Sequence, residues 1–214
     1  MERIICLLIG YVFGLFQTSY IYGKLHGIDI RNYGSGNAGT TNMLRTLGTG
    51  AAAVTLLGDA FKCVFAVLFV KLVFGGRYGD ILPLLSIYTA AGVILGHNFP
   101  FYLNFRGGKG IAATAGLILS LGPVMTVISL VIFGGTLALT HYVSLGSLLV
   151  YTGFMIQLIA FGQHGSFGMT QPYLNEMYAV GLVLMLLAFW MHRENIRRLL
   201  HGEERKTYLF KKKK

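Results

Sequence analysis

Seven stretches of the chain are strongly apolar: Ile4–Tyr22, Ala51–Phe74, Ile81–Leu95, Ile111–Leu121, Val124–Leu139, Val143–Phe161 and Met177–His192. Most approach or exceed the roughly 17 residues that cross a bilayer as helix. Ile111–Leu121 is too short alone, and Ile81–Leu95 reaches the length only if Gly96 to Phe99 extend it. The pattern predicts an all-α, polytopic integral membrane protein with seven transmembrane or part-spanning helices, five full spans being the alternative. One membrane domain is expected over 1–214, with a basic tail from about residue 193. Ile4–Tyr22 follows Arg3 as a leader would, but it has no clear small-x-small cleavage site and reads as a retained span.

Composition agrees with a bilayer solvent. Of 214 residues, 54% are hydrophobic and 12% charged, against about a quarter charged in soluble domains. Cys6 and Cys63 both fall inside apolar runs and read as buried thiols, with no metal cluster and no cofactor expected. A net charge of +10 raises the question of nucleic acid, and its distribution argues against it: nine of the 18 Lys and Arg follow Trp190. Basic residues beyond a hydrophobic span mark a cytoplasmic end near anionic lipid. With seven crossings and the C-terminus inside, fourteen Lys and Arg lie inside. Arg3 and Arg77 lie outside, with Lys71 near that face. The N-terminus is then outside, and five crossings keep the same parity. Lys211 to Lys214 read as a solvated tail with no catalytic role.

Within the second apolar stretch, Asp59 and Lys62 stand three residues apart on one helical face. Charges in hydrocarbon pair or face protein, so these form either a structural ion pair or part of the site's scaffold. The remaining polar residues concentrate in three patches, all on the inside face under this topology. The first is 34–45, with Gly34, Ser35, Gly36, Asn37, Gly39, Thr41, Asn42 and Arg45. The second, 96–110, runs from Gly96-His97 to Gly107-Gly108-Lys109-Gly110, and the third is 192–204. Glycines let backbone amides approach an anion, Arg45 can fork onto a phosphate, and the Gly107–Gly110 run opens a helical pattern. It is not a Walker A loop, since the Gly spacing fails and no Ser or Thr follows Lys109. Each run alone also suits a tight turn; two on one face, each with a cation, point to phosphate. In the third patch His192, Asn195 and Arg198 recur every three residues, while Ile196, Leu199 and Leu200 suit a helix lying on headgroups.

These motifs carry a resemblance. The sequence resembles the bacterial acyl-phosphate:glycerol-3-phosphate acyltransferase family, known as PlsY, over nearly its whole length. The matching positions are Ser35, Gly36, Asn37, Gly39, Thr41, Asn42 and Arg45; then Gly96, His97, Phe105, Gly107, Gly108, Lys109, Gly110 and Thr114; then His192, Asn195, Ile196, Arg198, Leu199, Gly202 and Glu204. Asp29 with Arg31, Asp59 with Lys62, and Tyr142, Ser144 and Ser147 are lesser matches. Arg106 departs from the Lys common in relatives, with the charge kept.

The resemblance implies transfer of a fatty acyl group from acyl phosphate to the 1-position hydroxyl of glycerol 3-phosphate, giving lysophosphatidic acid and phosphate. It implies a bacterial inner-membrane enzyme whose site faces the cytoplasm, with membrane lipids as surroundings and a soluble supplier of acyl phosphate as a potential partner. Ser35, Arg45, Lys109 and Asn195 are expected to hold phosphate and orient the hydroxyl. His192 is expected to orient the third motif or bind phosphate, with general base as a lesser role, and Glu204 to fix local structure through an inside Arg. Gly36, Asn37, Gly39, Thr41, Asn42, His97, Gly107, Gly108, Gly110, Ser144, Ser147 and Arg198 are expected around the substrates; His97 also suits a structural histidine. No His has Asp five positions on, and no Gly-x-Ser-x-Gly elbow occurs, so a covalent acyl-enzyme is not indicated. A carrier for a phosphorylated compound is the other class. It predicts inverted repeats and mid-bilayer helix breaks, and the sequence shows no repeat.

Overall fold

A computed structural model describes residues 1–208, so the Lys211 to Lys214 run lies outside the described residues. Helices α1 (Glu2–Gly14) and α2 (Thr18–Leu25) are followed by α3 (Thr40–Leu47), α4 (Thr49–Tyr78), α5 (Leu82–Asn98) and α6 (Ile111–Leu121). Then come α7 (Pro123–Thr140), α8 (Val143–Gln163), α9 (Gln171–Met191) and α10 (Arg193–Leu200). Five apolar segments are long enough to cross a bilayer, one of them the α4–α5 hairpin region Thr49–Leu103. Helix α6, at 11 residues, rises only about 16 Å.

The stretch read as one span, Ile4–Tyr22, is two helices broken between Gly14 and Thr18. In hydrocarbon a break leaves carbonyls that must find donors inside the protein. Gln17 Nε2 donates to the carbonyls of Gly14, Gly96 and His97 at 3.3, 3.3 and 2.9 Å. Lys62 Nζ donates to the Phe16 carbonyl at 2.6 Å. Gln17, wholly buried, is the polar residue that turns an apolar run into a bend. Cys6 and Cys63 are free and buried.

Helices α1 and α5 pack backbone against backbone. A Cβ at Gly10 would lie 1.9 Å from the Thr89 carbonyl oxygen, and one at Gly92 would lie 2.0 Å from that of Leu7. Gly14 and Gly96 make the same close approach one turn on, the small-x-x-x-small geometry of membrane helix pairs. Gly92→Val is expected to destabilise the protein by about 3 kcal/mol or more, because backbone cannot yield as a side chain does. Thermal unfolding in detergent checks this, and an unchanged midpoint would refute the packing.

At one end of the bundle Arg3 Nη2 meets Glu176 Oε2 at 2.9 Å, and Tyr88 donates to the same carboxylate, tying α1, α5 and α9. At the other end the C-terminal ends of α5 and α9 meet the N-terminal turns of α3, α6, α8 and α10, and the polar patches gather there.

Candidate active site

The loop before α3 folds around one side chain. Asn42, 1% exposed, accepts from the Ser35 amide at 2.9 Å and donates to the carbonyls of Ile30, Tyr33 and Asn37 at 3.1, 2.9 and 3.0 Å. With its amide fully used inside the loop, Asn42 shapes the wall that presents Ser35, Gly36 and Asn37. Asp29 accepts from Arg31 Nη2 at 2.7 Å, which holds its carboxyl below the ordinary range. Arg31 also donates to the Leu103 carbonyl, joining the first patch to the second.

The second patch differs from the expectation that its glycine amides face an anion. The Gly107 and Gly108 amides donate inward to the carbonyls of Asn98 and His97 at 3.1 and 3.0 Å, and neither residue lines the cavity. Gly108 sits so close to His97 that a Cβ would stand 2.0 Å from Nε2. These glycines therefore serve close packing beneath the loop. Gly110, at φ 81°, starts α6, and the open amides are those of that helix's first turn, beside Lys109.

The third patch is organised by Glu204. Its Oε1 accepts from Ser144 Oγ at 2.9 Å and Asn195 Nδ2 at 2.7 Å, and its Oε2 accepts from Arg198 Nε at 2.8 Å. Burial works to raise its carboxyl, but these donors outweigh it and leave the group below its ordinary value. Asn195 passes the link on by accepting from Lys109 Nζ. Burial, with Arg198 adding repulsion, brings the Lys109 ammonium down to about 8. His192, 3% exposed, lies at the end of α9, where its Nδ1 pairs with the Ala188 carbonyl at 2.8 Å. A carbonyl only accepts, so the ring proton is on Nδ1 and Nε2 is bare. Burial first, then the Lys109 charge, lower this imidazole to about 4, so it stays neutral at physiological pH.

Together the patches enclose a cavity of about 640 Å³. Among the residues expected from sequence, all but Gly107 and Gly108 line it. Residues that sequence reasoning missed also do so. Thr40 opens α3, while Leu56, Ile111, Ala112, Phe133, Val143 and Met191 make an apolar flank. Arg205 belongs to the segment after α10. That segment crosses the first patch, where Arg45 Nη2 donates to Thr207 Oγ1 at 3.0 Å. The apolar residues carried no signal distinguishing them from lipid-facing neighbours. Ser147 uses its hydroxyl on the Val143 carbonyl, and no cavity serine pairs with an imidazole among the described residues.

Four N-terminal helix turns and the cations Arg45, Lys109 and Arg198 thus surround a space with an apolar side, a setting for phosphorylated amphiphiles. Comparison with known proteins agrees. Residues 4–202 match the profile of the family described as glycerol-3-phosphate acyltransferase. A glycerol-3-phosphate acyltransferase of Clostridioides difficile (strain 630) is 43% identical over 205 residues, covering 95% of this chain and 94% of the relative. One from Thermoanaerobacter sp. (strain X514) is 40% identical over 207 residues, covering 96% of each. The crystal structure of PlsY (YgiH), an integral membrane glycerol 3-phosphate acyltransferase, in its glycerol 3-phosphate form, superposes with a TM-score of 0.83. It shares 28% identity over 97% of this chain and 96% of that one. Its lysophosphatidic acid form gives 0.81 at 27% identity, covering 98% and 97%. With its apolar helices and polar cavity, this multi-pass membrane protein belongs to the glycerol-3-phosphate acyltransferase family.

Proposed function

We propose that the cavity holds acyl phosphate and glycerol 3-phosphate side by side and passes the acyl group to the 1-position hydroxyl. The hydroxyl oxygen attacks the acyl carbonyl, the bond from that carbonyl to the phosphate oxygen breaks, and lysophosphatidic acid and phosphate leave. The departing phosphate takes the hydroxyl proton, so atoms and charge balance without an acyl-enzyme. The observation that carries this reading is one cavity with cations and helix N-termini on its polar wall and an apolar flank for the chain. The glycerol 3-phosphate and lysophosphatidic acid forms of the related PlsY structure support the acceptor and product.

Acyl phosphate is a mixed anhydride with a good leaving group, so positioning and charge neutralisation supply most of the catalysis. Lys109, Arg45 and Arg198 neutralise phosphate charge, with Ser35 and the α6 first turn as further donors. The bare Nε2 of His192 accepts from the neighbouring 2-position hydroxyl of glycerol 3-phosphate, which turns the 1-position oxygen toward the acyl carbonyl and leaves its proton for the departing phosphate. The weak basicity of His192 suits orientation better than proton removal. By the distribution of Lys and Arg, the site faces the cytoplasm of a bacterial cell membrane.

Purified protein given acyl phosphate and labelled glycerol 3-phosphate is expected to form labelled lysophosphatidic acid. Uptake into vesicles without lipid product would replace the enzyme by a carrier. Because burial brings the substrate-free Lys109 ammonium down to about 8 and phosphate needs its charged form, kcat/KM for glycerol 3-phosphate is expected to fall as pH rises through that value. In Lys109→Arg the fall should leave the measurable range whatever the residual rate, since guanidinium stays charged. An unshifted alkaline limb in that variant would assign the titration elsewhere.

A further inference from the structure

Lys62 lies on α4 outside the wall of the large cavity, yet its ammonium joins three elements. Nζ donates to Asp59 Oδ1 at 2.9 Å and to the Phe16 carbonyl at 2.6 Å, and it stands 3.0 Å from His97 Nδ1. The Gly14 carbonyl is more distant, at 3.4 Å. Asp59 is itself held by Thr18 Oγ1 at 3.0 Å. An ammonium has three protons and no lone pair. The imidazole nitrogen facing it must accept, which puts the His97 ring proton on Nε2.

The backbone of His97 is equally fixed, its carbonyl accepting from the Gly108 amide at 3.0 Å and from Gln17 at 2.9 Å. The ring is 3% exposed and forms part of the cavity wall. Its Nε2 corner rests over Gly108 and has no hydrogen-bond partner among the described residues. That nitrogen is not among the sealed, partnerless polar atoms of the described residues, so it is reachable from the cavity, where a phosphoryl oxygen would accept from it.

We propose that Lys62 is a positioning residue: with Asp59 it locks His97 in the Nε2–H form, so that a neutral imidazole donates to a substrate phosphoryl oxygen. This rests on the reading of the cavity as a phosphate site. His192 is held the opposite way, its Nδ1–H on Ala188 leaving Nε2 bare. The two imidazoles therefore present opposite functions, a donor for phosphate and an acceptor for hydroxyl. Close packing at Gly108 acquires a purpose too, since a larger residue would push the His97 donor off its line.

The test uses the full chain, ring-¹⁵N-histidine labelled, in lipid nanodiscs, with His97→Gln assigning the His97 resonances. The expected result is a protonated Nε2 and an unprotonated Nδ1; a proton on Nδ1 overturns the proposal whatever the activity. Asp59→Asn with Lys62→Met removes both charges together and leaves no lone buried ion. In that pair His97 is expected to become a mixture of tautomers, with kcat/KM for glycerol 3-phosphate down about tenfold or more. An unchanged tautomer there overturns the role of Lys62. His97→Gln keeps a donor near the Nε2 position and is expected to retain activity within about tenfold of wild type, whereas His97→Asn, which reaches only to Nδ1, is expected to fall about a hundredfold. Equal losses in the two would overturn the donor role and need no paired variant to fold. Absence of acyl transfer by the wild type would remove the functional reading instead, with the ring assignment still decided by the spectrum.

Discussion

Lys109→Ala and Arg45→Ala are each expected to lower acyl transfer about a thousandfold, with the protein still accumulating in the membrane. Lys109 stands beside the first turn of α6 and reaches Asn195 across the cavity. Its ammonium is partly desolvated before substrate arrives, so a phosphoryl group meets a charge that water screens little. Removing one preorganised group of this kind lowers turnover by about a hundred- to a thousandfold. Arg45 is held as well, by Thr207 and the Arg205 carbonyl at its Nη2. Its other guanidinium nitrogens remain to fork onto phosphate. Rates in membranes, normalised to protein by immunoblot, check both, and near-normal turnover in either variant removes that residue from the site.

Glu204→Ala is expected to have the next largest effect, a fall in kcat/KM of about a hundredfold. The carboxylate accepts three side-chain donors from two helices, Ser144 on α8 and Asn195 and Arg198 on α10. Without it these donors lose their acceptor together, and Asn195 no longer holds its oxygen toward Lys109. The loss is therefore of geometry at the cation. Glu204→Gln still accepts at one oxygen but turns an amide N–H₂ toward Arg198 or Asn195, and an intermediate rate is expected. Rates within threefold of wild type for Glu204→Ala would show that α10 is placed by its own packing.

Much of this was legible in the sequence, for physical reasons. Long apolar runs become helices because hydrocarbon offers the backbone no other partners, and Ile111–Leu121 has the same limits in sequence and structure. Asp59 and Lys62 pair as their spacing required, and Glu204 meets an Arg of its own patch, Arg198. The break after Gly14 was not legible. It depends on Gln17 and Lys62 reaching carbonyls across sequence gaps that periodicity does not see. The inward-turned amides of Gly107 and Gly108 were hidden likewise, because composition marks where backbone comes close but not what it approaches. The spacing of Gly10 with Gly14 and of Gly92 with Gly96 was visible as a pattern, and only the structure shows that the two pairs face each other. The contact of Thr207 with Arg45 joins residues 162 positions apart, with no local signature.

Every role assigned to these residues requires the three patches to meet at one membrane face. Single cysteines at Asn32, Arg106 and Glu203, exposed positions beside the three patches, and at Arg77 at the far end of α4, provide the measurement, in a chain whose Cys6 and Cys63 are replaced. Labelling by a membrane-impermeant maleimide is expected to spare the first three in intact cells and reach all three in inverted vesicles, with Arg77→Cys behaving oppositely. Labelling of any one of the three from outside, with the other two protected, would contradict the shared cavity.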